Sequence, residues 1–205
     1  MPKFSIIIPT HNAEDRIRTC LDSVKNQTYK DYELIVVCDA CTDDTKAVAR
    51  DYGAKVIETD YANSGGARNA GLEAAKGEWI LWLDDDDYWL HEYVLQQIAD
   101  KVGLENEDIL CFSFIFKGWK YANPTGNGGG HWIAIWNKCW KRSFIGDTRF
   151  PLLRHDDAYF HRDMFNKNPK IVDWDMPMYY YNYMRPGSYT WQYAHEKQQG
   201  ENADV

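Results

Sequence analysis

The chain has 205 residues, of which 44% are hydrophobic and 26% are charged. This length is enough for one large domain with a hydrophobic core, and the composition is ordinary for a globular protein. The formal net charge of -8 argues against sequence-independent binding of nucleic acid, which depends on lysine and arginine side chains that neutralise phosphates. An acidic protein can still bind a diphosphate when a divalent cation lies between the two.

The first half of the chain alternates short apolar runs with segments of helical periodicity. Strands are predicted at residues 4–8, 33–38, 55–59 and 78–83. The helices between them are expected to begin after the capping residue Asn12, near Thr42 and near Gly66. This order predicts a largely parallel sheet covered by helices, and ligands of such sheets bind beyond the carboxyl ends of the strands.

The second half is less regular. Helices are predicted at residues 91–102 and 155–168, and strands at residues 109–116 and 178–184. The tail from residue 194 is polar and is expected to fray.

The run at residues 4–8 is too short for a signal peptide or a membrane span, and the five cysteines are irregularly spaced. We therefore expect a cytoplasmic protein with reduced thiols, in which the C-x-x-C pair Cys38 and Cys41 has no clear role.

Four consecutive aspartates, Asp84, Asp85, Asp86 and Asp87, follow the fourth predicted strand. Their charges repel one another, so their position beside a buried strand is costly unless a cation binds there. In an extended chain, Asp84 and Asp86 would lie on one face and the other two on the opposite face. Carboxylates of this kind suit Mg²⁺ or Mn²⁺, although an acidic turn that caps the next helix is an alternative. The position at the end of a strand favours the metal.

Other polar residues have both a functional and a structural interpretation. Asp39 ends a predicted buried strand and can bind a base or ribose, or it can cap a helix. Arg68 lies near a glycine-containing turn and can approach a phosphate. Asp157 can act as a general base, but together with Asp156 it can also stabilise the start of a helix through the helix dipole. Spacing alone does not decide between these alternatives.

Taken together, these segments resemble the family 2 glycosyltransferases, which have the fold called GT-A. The likeness follows the family's order through residues 5–12, 20–29, 39–45, 67–72, 77–87, 136–138, 142–143, 149–151, 156–157 and 185–188. It implies an α/β fold with a mostly parallel central sheet flanked by helices. It also implies a single domain, with a nucleotide-sugar-binding half at about residues 1–100 and a smaller acceptor-binding half at about residues 101–193.

The resemblance implies a role for each matching residue. The donor would be bound by Pro9, Thr10, Asp39, Arg68, Asp84 and Asp85. Asp86, together with Asp84, would hold Mn²⁺ or Mg²⁺, and Asp157 would be the catalytic base. Asp156, Trp132 and Trp136 are candidates for the acceptor side, although burial in the core is the favoured interpretation of the tryptophans. The chain departs from the family at Cys38, where a second aspartate is common, and at Asp156, where glutamate is usual.

The function implied by the resemblance is a metal-dependent, inverting transfer of a sugar from a nucleoside diphosphate, with UDP favoured, to an acceptor hydroxyl. The acceptor would be a glycan or a lipid-linked sugar in polysaccharide or glycoconjugate synthesis, at the inner face of the membrane. One alternative is a non-catalytic module that binds nucleotide sugars. A sugar-nucleotide pyrophosphorylase is a second alternative, but residues 9–15 do not form the glycine-rich basic loop that such enzymes carry after the first strand. The sequence does not specify the sugar, the acceptor or the oligomeric state.

Overall fold

The computed structural model describes residues 1–117, 120–126, 130–188 and 191, so the predicted polar tail at residues 194–205 lies outside the described residues. The strands are β1 Phe4–Thr10, β2 Tyr32–Asp39, β3 Lys55–Thr59, β4 Trp79–Trp82, β5 Tyr88–Trp89, β6 Ile109–Phe116, β7 Lys120–Ala122, β8 Lys138–Lys141 and β9 Ile171–Tyr181. The helices are α1 Ile17–Lys25, α2 Thr45–Asp51, α3 Ser64–Ala74, α4 Val94–Lys101, α5 Arg142–Ile145 and α6 Asp156–Phe165. No helix in this described part has the length and apolar composition that crossing a membrane requires.

All nine strands belong to one sheet with the order β3-β2-β1-β4-β8-β6-β9-β5, and β7 pairs with the end of β6. The strands β3, β2, β1 and β4 are parallel, and β6 is parallel to β9. Between these two groups, β8 is antiparallel to both of its neighbours. The prediction of an α/β fold with a mostly parallel sheet in the first half is confirmed, and the carboxyl ends of β1, β2 and β4 lie at the same edge.

The central strands form because their apolar runs are covered on both faces. The side chains of Ile6, Ile7 and Ile8 in β1 point alternately to opposite faces of the sheet, yet all three are fully buried. This is expected of a strand between two layers of helices. One face is covered by α1, whose buried side chains recur at helical spacing. On the other face α3 approaches closely at Gly71, where a Cβ atom would lie 2.4 Å from Cγ2 of Ile7.

Three helices lie between the first four strands, as predicted, but each of them begins at a different residue from the one expected. Asn12 lies outside α1, and its Oδ1 accepts a hydrogen bond from the backbone N–H of Thr42 at 2.8 Å. The helix α2 starts at Thr45, whose backbone N–H donates to Asp43 Oδ1 at 3.1 Å. The helix α3 begins at Ser64, two residues earlier than expected, and the side chain of Asn63 caps it.

The second half contains elements that the sequence pattern did not indicate. The predicted strand at residues 109–116 matches β6, but β9 begins seven residues before its predicted start. The strand β8 was missed because it has only four residues and both of its ends are lysines. It forms because β4 and β6 pair with it on both sides, which a local pattern does not reveal.

Candidate functional site

The four aspartates after β4 form a turn in which the backbone N–H of Asp87 donates to the carbonyl oxygen of Asp84 at 3.1 Å. The expectation that the chain continues as an extended strand here, with two carboxylates on each face, is therefore wrong. The turn directs the four side chains to four different sets of partners. This arrangement separates the like charges and brings a compensating group to each of them.

Asp85 faces the loop between β1 and α1. Its carboxylate accepts hydrogen bonds from Thr10 Oγ1 at 2.6 Å and from Nε and Nη2 of Arg16 at 2.9 and 3.0 Å. Burial raises the pKa of Asp85, and the bond from Arg16 opposes that shift. Arg16 also donates to the backbone carbonyl of Asn12 at 2.7 Å, so Asp85 fixes the loop that follows β1. The structure thus brings Thr10 and Asp85 together, while direct contact of either with a donor stays a prediction.

Asp87 faces the end of β9. Its carboxylate accepts a hydrogen bond from the Tyr179 hydroxyl at 2.6 Å and another from the backbone N–H of Asn182 at 2.8 Å. Burial, followed by the charges of Asp84 and Asp86, raises the pKa of Asp87 well above its usual range. The backbone N–H of Asp84 donates to the same hydroxyl of Tyr179 at 3.2 Å. Tyr179 therefore joins the aspartate turn to the second half of the chain.

Asp84 and Asp86, the predicted metal ligands, are more open to solvent, with side chains 29% and 16% exposed. Burial raises the pKa of Asp84 to about 7, an effect that Arg68 opposes and Asp86 reinforces. Arg68 Nη2 lies 3.7 Å from Asp84 Oδ1. Asp86 Oδ2 accepts a hydrogen bond from Arg185 Nε at 2.7 Å. Each of the two carboxylates is therefore paired with one guanidinium group.

The first turn of α6 carries two adjacent aspartates with different environments. Asp156 is 3% exposed, and its oxygens accept hydrogen bonds from Ser64 Oγ at 2.7 Å and from Arg68 Nη1 at 2.5 Å. Asp157 is only half-buried, and its Oδ1 accepts a hydrogen bond from the backbone N–H of Ala158 at 2.8 Å. Asp157 follows Asp156 in the first turn of α6. Arg68, which pairs with Asp156, also lies 3.7 Å from Asp84 Oδ1, so this first turn lies near the aspartate turn.

The close approach of α3 and α6 depends on a glycine. A Cβ atom at Gly65 would lie 2.3 Å from the carbonyl oxygen of Pro151 and 3.2 Å from Cβ of Asp156. Without that side chain, α3 can present Ser64 and Arg68 to Asp156. This contact connects the two halves of the chain directly beside the aspartate turn.

Asp39 ends β2 and is 5% exposed. Its carboxylate accepts three hydrogen bonds, from Thr59 Oγ1 at 2.8 Å, from the backbone N–H of Tyr61 at 2.7 Å and from the backbone N–H of Asn63 at 2.8 Å. It therefore fixes the turn between β3 and α3, and its contact with a nucleotide base stays a prediction. Pro9 is half-buried within β1, one residue before Thr10.

The two candidate tryptophans lie in an aromatic cluster. Trp136 is 7% exposed and stacks on Tyr179 with their ring centroids 4.6 Å apart. Trp132 is partly buried, and its ring packs edge-on against Phe114 at 5.4 Å. These contacts agree with the core interpretation, and stacking of either ring on an acceptor sugar stays a prediction.

The C-x-x-C pair lines an open pocket of about 340 Å³ beside the end of β2. Both thiols are free. Burial, and then the neighbouring Cys41, raises the pKa of Cys38 to about 12. A thiol that remains protonated at neutral pH is a poor nucleophile and redox group, so the pair has no evident catalytic chemistry.

Sequence reasoning assigned no role to three residues of the site, Arg16, Tyr179 and Arg185. Arg185 lies in a segment that carried the family resemblance, and that position was the available signal. Arg16 precedes α1 and Tyr179 lies in a tyrosine-rich strand, where nothing in the local pattern distinguishes them from surface or core residues. Their partners, Asp85 and Asp87, are 69 and 92 residues away along the chain.

The predicted metal ligands in the aspartate turn are two carboxylates, Asp84 and Asp86, rather than a complete protein cage. Among the described residues, one group of three histidine, cysteine or acidic side chains has ligand atoms within 4.8 Å of one another. That group is Cys111, His131 and Asp173, and it lies on β6, before β8 and on β9. A metal at Asp84 and Asp86 would need further oxygen ligands, such as phosphate oxygens, as is usual for Mg²⁺.

Comparison with known proteins gives consistent matches. The sequence profile described as "Glycosyl transferase family 2" matches residues 5–173. The putative glycosyltransferase EpsH of Bacillus subtilis (strain 168) is 36% identical over 88% of this chain and 60% of its own length. The Escherichia coli protein named UDP-Glc:alpha-D-GlcNAc-diphosphoundecaprenol beta-1,3-glucosyltransferase WfaP is 39% identical over 88% of this chain and 77% of its own length.

Among solved structures, residues 1–349 of S. aureus TarS in complex with UDP-GlcNAc superpose on this chain with a TM-score of 0.79. The sequences are 25% identical, and the match covers 92% of this chain and 60% of that one. The chain thus spans 60% of the length of EpsH and of this TarS structure.

Proposed function

The chain belongs to glycosyl transferase family 2, and on that premise we propose that it transfers a sugar from a nucleoside diphosphate to an acceptor hydroxyl. Its fold is GT-A, as the sequence resemblance implied. The observation that carries the proposal is that Arg68 pairs with Asp84 of the aspartate turn and also with Asp156, which precedes the half-buried Asp157 at the start of α6. This arrangement combines anion-binding and cation-binding groups with a carboxylate that can accept a proton.

The donor diphosphate would lie between Arg68 and the aspartate turn. Arg68 is held by Asp156 and Asp84, and its Nε has no hydrogen-bond partner among the described residues. Burial lowers the pKa of Arg68, but the charges of Asp156 and Asp84 more than offset this effect, so the guanidinium stays charged. A buried, charged group with an unused N–H is suited to a phosphate oxygen. We favour UDP as the nucleotide, and TarS was solved with UDP-GlcNAc.

The residues present fit a divalent cation at Asp84 and Asp86. Six aspartates lie in this part of the structure, at positions 84–87, 156 and 157, and four of them pair with the three guanidinium groups of Arg16, Arg68 and Arg185. The excess of carboxylates favours an additional cation, and hard oxygen ligands suit Mn²⁺ or Mg²⁺. When bound, the ion would supply a Lewis acid that stabilises the charge of the departing diphosphate.

In the proposed reaction, Asp157 accepts the proton of the acceptor hydroxyl while that oxygen attacks the anomeric carbon in line, with inversion. The backbone N–H of Ala158 orients the carboxylate of Asp157 at the start of α6. Asp156 positions Arg68, which would bind the diphosphate that leaves. General-base assistance of this kind typically contributes about 10²–10⁴-fold in rate.

Calorimetric titration with UDP, GDP and TDP, each with and without Mn²⁺, tests the donor site. We expect UDP to bind only when Mn²⁺ is present, and Asp86→Ala to abolish that binding because the carboxylate no longer holds the ion. Asp163→Asn, a surface aspartate on α6 that is 45% exposed, is the matched control and should bind UDP like the wild type. Failure of all three nucleotides to bind in the presence of metal would favour a non-catalytic relative instead.

We also propose that the chain acts at the inner face of the membrane on a lipid-linked sugar, the type of acceptor named for WfaP. Leu152 and Leu153 support this, because they are 59% and 56% exposed in the loop that precedes α6. Arg149 and Arg154 flank them in the sequence. Exposed leucines beside arginines are suited to an anionic lipid surface.

Sedimentation with phosphatidylglycerol vesicles tests this membrane contact. We expect the double variant Leu152→Ser/Leu153→Ser to bind the vesicles about tenfold or more weakly, since burying a leucine contributes about 1.5–3 kcal/mol. Leu104→Ser is the matched control, because Leu104 is 71% exposed in the loop between α4 and β6. Equal sedimentation of the wild type and the double variant would contradict the proposed contact.

A further inference from the structure

A second group of metal-ligating side chains lies on the sheet away from the aspartate turn. In the strand register, Cys111 on β6 pairs with Asp173 on β9 and with Lys138 on β8, so these three side chains lie on one face of the sheet. His131, in the segment before β8, reaches the same place, and its Nε2 lies 2.9 Å from Asp173 Oδ1. The ligand atoms of Cys111, His131 and Asp173 are within 4.8 Å of one another.

We propose that Cys111, His131 and Asp173 form a binding site for Zn²⁺ that is separate from the donor site. A thiolate, an imidazole and a carboxylate are the ligands that Zn²⁺ accepts, whereas Mg²⁺ and Mn²⁺ prefer oxygen ligands. The side chain of Asp173 is 43% exposed, so water can complete a four-coordinate shell. The inference is independent of the proposed transferase activity, because it uses none of the residues assigned to the donor or the base.

The charges around the three ligands are compatible with a cation. Cys111 is fully buried, so its thiol needs a positive partner to become a thiolate. Lys138 is adjacent, but its Nζ donates to the carbonyl oxygens of Trp132 and Ala134 at 2.6 Å and to Asn137 Oδ1 at 2.8 Å. These three bonds direct the amine toward the segment before β8.

The histidine that α6 places near the three proposed ligands, His161, adds no positive charge there. His161 is 8% exposed, and burial, followed by the charges of Lys138 and His131, lowers its pKa to about 3. It is therefore neutral at physiological pH. His161 stacks on Phe165 with their ring centroids 3.9 Å apart, and the ring of Phe165 also lies 5.2 Å from that of His131. An ion held by His131 would thus connect β6 and β9 with the segment that packs against α6.

Cobalt titration of chelator-treated protein tests the site directly, because a cysteine thiolate bound to Co²⁺ gives a charge-transfer absorption that oxygen ligands do not. We expect one equivalent of Co²⁺ to produce this band in the wild type and Cys111→Ser to lose it. Cys139→Ser removes a buried cysteine of the neighbouring strand β8, and Cys38→Ser disrupts the C-x-x-C pair. Both variants should keep the band, as should Asp86→Ala. A missing band in the wild type, or one that survives in Cys111→Ser, would overturn the proposal.

A second variant covers the case in which Cys111→Ser does not fold. The side chain of His131 is 19% exposed and lies in a loop segment, so His131→Ala should fold. With Asp86→Ala introduced into both proteins to remove the other proposed cation site, we expect Zn²⁺ to raise the thermal unfolding midpoint where His131 is present and to leave that of His131→Ala unchanged, since a ligand stabilises only the state that binds it. The same midpoint shift in both proteins, or no shift in either, would contradict the site.

Discussion

Asp157→Asn is expected to lower kcat by about 10²–10⁴-fold, the usual contribution of a general base, while donor binding stays close to that of the wild type. Asparagine has almost the same shape and can still accept the hydrogen bond from the backbone N–H of Ala158, so the start of α6 should be preserved. It cannot take up the proton of the acceptor hydroxyl. The measurement is turnover of a UDP-sugar with metal present, together with calorimetric binding of UDP.

Asp163→Asn is the matched control for this prediction, because Asp163 lies on the same helix and its exposed side chain contacts Arg162 at 2.9 Å. It should retain full turnover. If Asp157→Asn keeps turnover near the wild-type rate, Asp157 is not the base. If it loses UDP binding as well as turnover, its role is in the donor site instead, and the loss of rate no longer supports general-base catalysis.

The parallel half of the fold could be predicted from the sequence because each strand there is defined locally. The strands β1 and β2 are nearly continuous apolar runs, and the lengths of the intervening helical segments leave few alternatives to a right-handed parallel order. The antiparallel half could not be predicted in the same way. In β8 the lysine at position 138 is fully buried, and its three hydrogen-bond acceptors lie in the preceding loop, so its polar character gives no local sign of a strand.

The residues of the candidate site also differ in whether the local sequence reveals them. The aspartates at positions 84–87 attracted attention because four acidic residues follow a strand, whereas those at 156–157 were given a role only through the resemblance to family 2 glycosyltransferases. The partners that separate their roles were not identified, because Arg16, Arg185 and Tyr179 reach them from 69, 99 and 92 residues away. The turn at Asp84–Asp87 was considered only as an alternative, because the distant partners that favour four side-chain directions over an extended strand are not evident in the local sequence.

The second large effect is expected from Asp156→Ala, which should lower the free energy of unfolding by about 3–5 kcal/mol, as removal of one partner of a buried ion pair does. The variant leaves the Arg68 side chain, 12% exposed, with Asp84 at 3.7 Å as its one remaining ion-pair partner among the described residues, and it removes the acceptor of Ser64. Urea unfolding measures the change. Asp163→Ala, which breaks an exposed pair, is the control and should cost about 0–1 kcal/mol.

The double variant Arg68→Met/Asp156→Leu separates the cost of an unpaired charge from a general loss of packing between α3 and α6. Replacing both charges with apolar side chains often leaves stability unchanged or higher, so we expect the double variant to recover most of the stability that Asp156→Ala loses. Its UDP binding should nevertheless be weak, because the guanidinium that would contact the diphosphate is gone. A stability loss in Asp156→Ala no larger than in Asp163→Ala would show that Asp156 does not anchor Arg68, and the division of roles between Asp156 and Asp157 would then lose its physical basis.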